Sequence, residues 1–396
     1  MKQIYYSENL NISYDDKSVN FNGKSVTSDK IGEFTSGEGS PENFAFNKMR
    51  EDYSAELSRQ YEEIIVLSGA GTSVGIGVGE KLGKTMAGLW SAVIEKIGFE
   101  KLEEFCKKIK YTEIVEEYTN LEELLSKAKI SQSFLSNETI QTMIDNIEKI
   151  IRNECSLVLP ENAPHLRFIR KLTARKLKYS RVKIFTLNYD LLFEQAAMKG
   201  GYVLVDGFSF SHPRIFNGIN FDYDIVIRNN NRAISEENFA TNVFHLYKPH
   251  GSLDWDRDKE SGTIKKTENP SNPLMIYPNS SKFEYSFEQP FFEMISRFQQ
   301  ELRNRNTLLL VIGFSFFDNH IKAMIYEALN SNPSLTLVVV SPDVQKEGSF
   351  SELKEKSANM GNIYLINESF NDFVKFYPSS EIYDHFYSEG KKDESL

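Results

Sequence analysis

The sequence predicts a doubly wound α/β domain built on a mostly parallel sheet, interrupted by an inserted helical subdomain. Three observations carry this expectation. Ile64–Leu67, Leu308–Ile312, Leu335–Val340 and Ile363–Ile366 are short, continuous apolar runs, the pattern of strands buried on both faces. Helical segments separate them, so the connections are crossovers and the strands run parallel. Between Thr85 and Ser180 strand-like runs vanish and apolar residues recur at helical spacing, as in Ile140, Met143, Ile144, Ile147 and Ile151.

Composition sets the limits. The 396 residues are 40% hydrophobic and 26% charged, an ordinary globular balance with material for a sizeable core. A net charge of -10 argues against a generally basic nucleic-acid surface, so no direct nucleic-acid binding is expected. Cys106 and Cys155 cannot build a disulfide framework and read as buried, inert thiols. The N-terminal M-K-Q-I-Y-Y-S-E-N-L lacks a signal-peptide core. No run approaches the roughly 20 apolar residues of a membrane span. The expectation is a soluble, cytoplasmic chain with no membrane partner.

In order, residues 1 to about 40 are polar and read as short strands or an arm, with a loop at Ser36–Pro41. Phe44, Phe46, Met49 and Tyr53 share one face of a helix over 42–60. The strand Ile64–Leu67 runs into S-G-A-G-T-S-V-G-I-G-V-G, a glycine-rich turn of the kind that lets backbone approach a phosphate. Tight packing of that turn on its own sheet is the competing reading. After the helical stretch, strands return at Val182–Leu187, Tyr202–Val205, Asp224–Ile227 and Phe244–Lys248, with a helix over N-Y-D-L-L-F-E-Q-A-A that Asn188 or Asp190 can cap. Residues 254–285 read as a polar loop and 286–304 as a helix. These boundaries divide the chain into an arm and helix (1–60), an α/β domain (61–84 and 181–380), a helical insertion (85–180) and a tail (381–396) expected to be disordered.

Ligands of open parallel sheets bind beyond the carboxyl ends of the strands. Five predicted strand ends carry polar or glycine residues: Gly69-Ala70-Gly71-Thr72-Ser73; Thr186, Asn188 and Asp190; His250-Gly251; Gly313-Phe314-Ser315; and Ser341 with Asp343. All fall on one rim.

The motifs G-A-G-T-S, T-L-N-Y-D, P-H-G-S and G-F-S, in this order and each at a strand end, resemble the sirtuin signature. The resemblance covers roughly 60–80, 180–255 and 305–370 and implies a Rossmann-like domain binding NAD. It implies that Gly69, Ala70, Gly71 and Ser73, with Thr72 beside them, cradle the pyrophosphate. Asn188 and Asp190, with Thr186 beside them, would hold the nicotinamide and its ribose. His250 would be the general base. Gly313 and Ser315 would contact the phosphate and adenosine side, with Ser341 at the neighbouring strand end.

Protein-deacylating sirtuins carry a zinc ribbon of paired C-x-x-C units between the His-Gly and Gly-x-Ser motifs. Residues 251–313 contain no cysteine, so no zinc ribbon and no metal are expected. The arginine of the family's P-D-F-R sequence is also absent; the chain has V-G-I-G-V-G-E-K. These departures fit sirtuin-like domains of bacterial antiphage defence, which hydrolyse NAD. The chain ends soon after its last strand, which resembles the compact type encoded beside a HerA-type hexameric ATPase.

The implied function is NAD+ glycohydrolysis to nicotinamide and ADP-ribose, depleting NAD in antiphage defence. The expected catalytic residues are Asn188, Asp190 and His250, and a homo-oligomer docked on an ATPase is the expected assembly. An imidazole titrates near neutrality and can take a proton at working pH. A non-catalytic NAD or ADP-ribose sensor or scaffold is the first alternative; a divergent NAD-dependent protein deacylase is the second.

Other features read as structural. Gly83-Lys84-Thr85 lacks the P-loop spacing. His165, His212, His245, His320 and His385 have no motif context. Trp255, Phe283, Tyr285, Phe287, Phe291 and Phe292 read as core or interface. Asp318 reads as a helix cap that could also face the rim. The basic face of Arg167, Arg170, Lys171, Arg175, Lys176 and Lys178, and the charged faces of the insertion, read as solvated.

Overall fold

The computed structural model describes residues 1–27, 31, 40–227, 238–271, 273–276, 289–346 and 348–379. Phe283, Tyr285, Phe287, His385, part of the Ser36–Pro41 loop and the tail lie outside them.

The apolar runs form the parallel centre of the molecule. β5 (Glu63–Ser68), β8 (Lys183–Thr186), β9 (Val203–Val205), β10 (Val243–Tyr247), β14 (Thr307–Ile312), β15 (Leu335–Val340) and β16 (Ile363–Ile366) run parallel in the order β16-β15-β14-β5-β8-β10-β9. Alternation along them fills two cores. Leu308, Leu310 and Ile312 pack with α1 (Pro41–Leu57), α6 (Pro164–Thr173), α7 (Leu192–Lys199) and α11 (Phe370–Phe376). Leu309 and Val311 pack with α8 (Phe291–Glu301), α9 (Asn319–Ser331) and α10 (Ser351–Ser357) on the other face. Helices thus cover both faces of the sheet, the mixed α/β architecture that continuous apolar strands require.

The sheet extends further than its parallel part. β1 (Lys2–Tyr6), β2 (Asn11–Tyr14), β3 (Ser18–Phe21) and β4 (Lys24–Thr27) form an antiparallel meander, and β1 pairs with β16, giving an 11-stranded sheet. The N-terminal residues are therefore part of the main sheet, and α1 packs over them. Ser40 caps α1, its hydroxyl accepting from the Asn43 N–H at 3.2 Å.

Three further differences from the sequence expectation have simple causes. Asp224–Ile227 is not a strand; Val226 makes one isolated bridge to Phe239. The polar stretch from 254 contains an antiparallel sheet of β11 (Gly251–Arg257), β12 (Ile264–Lys266) and β13 (Pro273–Met275). Two of its strands are three residues long, too short to show a period. The helical unit comprises α2 (Met86–Ile97), α3 (Phe99–Lys108), α4 (Leu121–Leu135) and α5 (Glu138–Cys155), built around Trp90, Leu102, Phe105, Leu124, Ile144 and Ile147. α6 follows it in sequence but belongs to the sheet, burying Phe168, Ile169 and Leu172 in the first core. Among the described residues no helix is long and apolar enough to cross a membrane.

Candidate active site

In the sheet order, β15, β14, β5, β8 and β10 are consecutive neighbours running the same way. Their carboxyl ends therefore form one continuous rim. From β5 the chain steps to β8 on one side and later to β14 on the other. The β5/β14 boundary is thus where the winding reverses, the place at which such sheets leave a crevice.

The two loops flanking this point are in backbone contact. The Gly71 N–H donates to the Gly313 carbonyl at 3.0 Å, and a Cβ on Gly71 would meet Gly313 Cα at 2.5 Å. Gly313 itself has φ +63°, which favours glycine. The close approach of the loops is enough to require glycine at both positions. Gly75, Gly77 and Gly79 do not join this cradle. They belong to the hairpin of β6 (Gly77–Val78) and β7 (Lys81–Leu82), and the turn Ala70–Thr72 is a single 3-10 turn. Thr85 accepts from the Gly88 N–H as the cap of α2, and Lys84 pairs with Glu154 at 2.7 Å.

Asn188 is locked onto the turn after β5. Its Nδ2 donates to the Gly69 carbonyl at 3.0 Å, Thr72 Oγ1 at 3.1 Å and Ser73 Oγ at 2.8 Å. A carbonyl can only accept, so the amide orientation follows from the network. All three of these bonds use the nitrogen of the carboxamide. Thr186 Oγ1 accepts from the Asn188 N–H at 3.2 Å, and Ser68 and Thr72 share a hydroxyl bond of 2.7 Å. Asp190 is buried, accepts from Ser73 Oγ at 2.6 Å and takes the Leu192 N–H at the start of α7. Burial raises its carboxyl above the ordinary range, opposed by the Lys248 charge and the Ser73 hydroxyl.

His250 follows β10 and is buried. Its Nε2 lies 3.2 Å from Asp318 Oδ2. Asp318 also caps α9, accepting from the His320 and Ile321 N–H groups. Burial alone would raise Asp318; its hydrogen bond and electrostatic attraction to His250 more than offset that and hold it low. A carboxylate on Nε2 fixes the neutral tautomer with its proton there and leaves Nδ1 as the basic nitrogen. Asp318 is thus both the cap and the partner of the rim histidine.

The Asn188 and His250 segments are stitched together. The Leu253 N–H donates to the Tyr189 carbonyl at 3.1 Å, the Ile276 N–H to the His250 carbonyl at 2.8 Å, and the Tyr189 hydroxyl to the Ile276 carbonyl at 2.5 Å. Lys248 makes the firmest link. Its ammonium, 2% exposed, donates to the carbonyls of Asp190 at 2.5 Å and Tyr189 at 3.3 Å and pairs with Glu194 at 3.1 Å. A buried cation needs such partners. In the sequence Lys248 reads only as the end of a strand. A lysine closing an apolar strand two residues before a histidine was the available signal. A second buried network lies behind it: Lys266 pairs with Asp206 at 2.7 Å and Asp254 at 3.5 Å.

The remaining expected residues differ in exposure. Ala70 and Ser315 are open to solvent on the rim. Ser341 is buried, and its hydroxyl accepts from the Asp343 N–H at 3.2 Å in the turn that follows β15. Trp255 and Phe291 are core, while Phe292 is 45% exposed. His165 and His245 are buried and pushed by burial to about 3 and about 4, so both are neutral in the folded chain. Lys171 donates to the Val374, Lys375 and Tyr377 carbonyls, and Arg175 to those of Tyr61 and Glu62. Those two cations of the basic face fasten the fold. Burial pushes both thiols, Cys106 and Cys155, up to about 12, which leaves them protonated. Among the described residues no group of three or more His, Cys, Asp or Glu could hold a metal ion.

Residues 182–362 match the family model of the SIR2-like domain. This stretch is similar to a sirtuin-like domain. The SIR2-like match takes in Asn188, Asp190, Lys248, His250, Gly313 and Asp318, and stops short of the turn after β5. It supports an NAD-related function. No curated protein matches the chain.

Proposed function

We propose that the chain is an NAD+ glycohydrolase that cleaves NAD+ to nicotinamide and ADP-ribose at the rim of β14, β5, β8 and β10. The observation that carries the reading is the presence, at two neighbouring strand ends, of an Asn188 amide anchored through its nitrogen and a histidine paired with Asp318. Amides, hydroxyls and backbone at the winding reversal suit a dinucleotide.

The chemistry follows from those groups. The bond from the anomeric carbon to nicotinamide breaks, and its electron pair neutralises the pyridinium nitrogen. The ribosyl centre becomes positive, and the fixed Asn188 oxygen stabilises it without reorganising. Water adds to that carbon, and His250 Nδ1 takes the proton released. Asp190 fixes Ser73, and Ser73 fixes the Asn188 amide. Incubating the purified chain with NAD and following nicotinamide by chromatography is the test. Turnover undiminished in both Asn188→Ala and His250→Ala would remove this assignment.

The finer reading rests on the sirtuin-like resemblance and the cysteine-free 251–313 stretch: a cytoplasmic NAD-depleting effector of antiphage defence, acting as a homo-oligomer on a HerA-type hexameric ATPase. Co-expression with such an ATPase and light scattering of the product test it; a lone monomer under both conditions would count against it.

A further inference from the structure

Tyr189 lies between Asn188 and Asp190 and is held by its ring, its hydroxyl and its backbone. The ring belongs to the buried core of the helical unit, with Trp90, Leu124 and Ile147. The hydroxyl leaves that core and donates to the Ile276 carbonyl at 2.5 Å, just past β13. The Tyr189 carbonyl accepts from the Leu253 N–H at 3.1 Å and the Lys248 ammonium at 3.3 Å.

These bonds close a circuit. The Tyr189 hydroxyl holds the Ile276 carbonyl, and the Ile276 N–H donates to the His250 carbonyl at 2.8 Å. Further along that segment the Leu253 N–H returns to the Tyr189 carbonyl. The loop after β8, the start of β11 and the end of β13 thus form one hydrogen-bonded triangle, with Asn188 beside one corner and His250 on another. Its backbone is tightly packed. Gly251, at φ +93°, pairs with Met275, and a Cβ there would meet the Leu274 carbonyl oxygen at 2.1 Å. The helical unit lies against all three segments, since Tyr189 and Met275 belong to its core and Leu253 packs on it. A phenyl ring would fill the same place in that core. The hydroxyl adds a directional tie that packing alone does not supply.

We propose that Tyr189 is a positioning residue of the active site: its hydroxyl closes the triangle that holds Asn188 and His250 at their working separation, and the helical unit is the template on which the triangle is laid. This rests on the NAD-cleaving reading. In this role Tyr189 exchanges no proton and acts through the two residues it keeps in place. Small misplacements of reacting groups are costly, which is where such a tie takes effect.

The experiment compares Tyr189→Phe with Tyr61→Phe in the full chain. Tyr61 is a control of the same chemistry: it is buried before β5, at the opposite end of the strands, and its hydroxyl donates to Glu56 at 2.5 Å. Two readouts are taken, nicotinamide release and the imidazole 15N signals of histidine-labelled chain, with those of His250 identified by their loss in His250→Gln. Tyr189→Phe should lower kcat by on the order of tenfold with KM little changed. It should also move the His250 signals toward the average of the two tautomers, as Nε2 loosens from Asp318. Tyr61→Phe should do neither. An intact kcat in Tyr189→Phe, a rise in KM alone, unmoved His250 signals, or an equal loss in Tyr61→Phe overturns the proposal. A wild-type chain that never releases nicotinamide removes the NAD-cleaving reading. The His250 signals then judge the triangle by themselves: moved in Tyr189→Phe alone, it stands; unmoved, it falls.

Discussion

Asn188 spends its amide nitrogen on the turn after β5, and in the proposed reaction its oxygen stabilises the ribosyl centre, so truncation would remove both an anchor and that group. Asn188→Ala should lower nicotinamide release by about a hundredfold or more, read in initial rates. Lys248 has a different effect. Replacing it with Met strands the Glu194 carboxylate and two carbonyls in the interior, and should cost about 3–5 kcal/mol in denaturant unfolding. Glu122 makes a prediction about pH. Its pKa is raised in the folded chain, from 4.5 to about 7. The stability tied to its protonated form is present below the unfolded value and lost as pH rises through the folded one. Glu122→Gln should therefore melt above wild type at pH 8, with the gap closing by pH 4 in thermal scans. At this scale the sequence was legible where a motif surrounded the residue, as for Asn188 and His250. Glu122 was not. In L-E-E-L-L it sits among charges whose ordinary place is solvent, and nothing local marks it as half-buried.

Elements were legible in proportion to their burial. β14 and β15 are apolar at nearly every position because both faces are covered, and their bounds sit within a residue of the apolar runs. β11–β13 and β1–β4 are hidden or blurred, because short strands with polar neighbours show no clear apolar period, and β1 owes its place to a pairing with β16 at the far end of the chain. The glycines were visible, but what they touch was not. Gly71 and Gly313 press two loops together, whereas Gly77 and Gly79 shape a hairpin. Gly313→Ala should strain both the left-handed backbone and the contact with Gly71. It should lower stability by about 2–4 kcal/mol and uncouple the β5 and β14 loops, seen as faster amide exchange at Gly71. In the helical unit, Leu124→Ala opens a cavity in a fully buried cluster and should cost about 2–5 kcal/mol.

The whole molecule carries an acid sensitivity unrelated to its site. His165 and His245 are kept neutral by burial, at about 3 and about 4 against 6.5 when exposed. Their stability contribution is complete above 6.5 and is lost as pH falls toward the folded values. At pH 5 the two together cost roughly 4 kcal/mol, so the melting temperature should drop between pH 7 and pH 5, and His165→Phe should flatten the slope. His165 sits edge-on to Phe193 and Phe370, so a phenyl ring suits the space.

Tyr189 joins these scales. Its flanking residues belong to the rim, while its ring belongs to the core of the helical unit. One residue of chain therefore separates the core of the helical unit from the side-chain network of Asn188. The helical unit and the rim therefore share a residue, and a change in the packing of one is a change in the anchoring of the other.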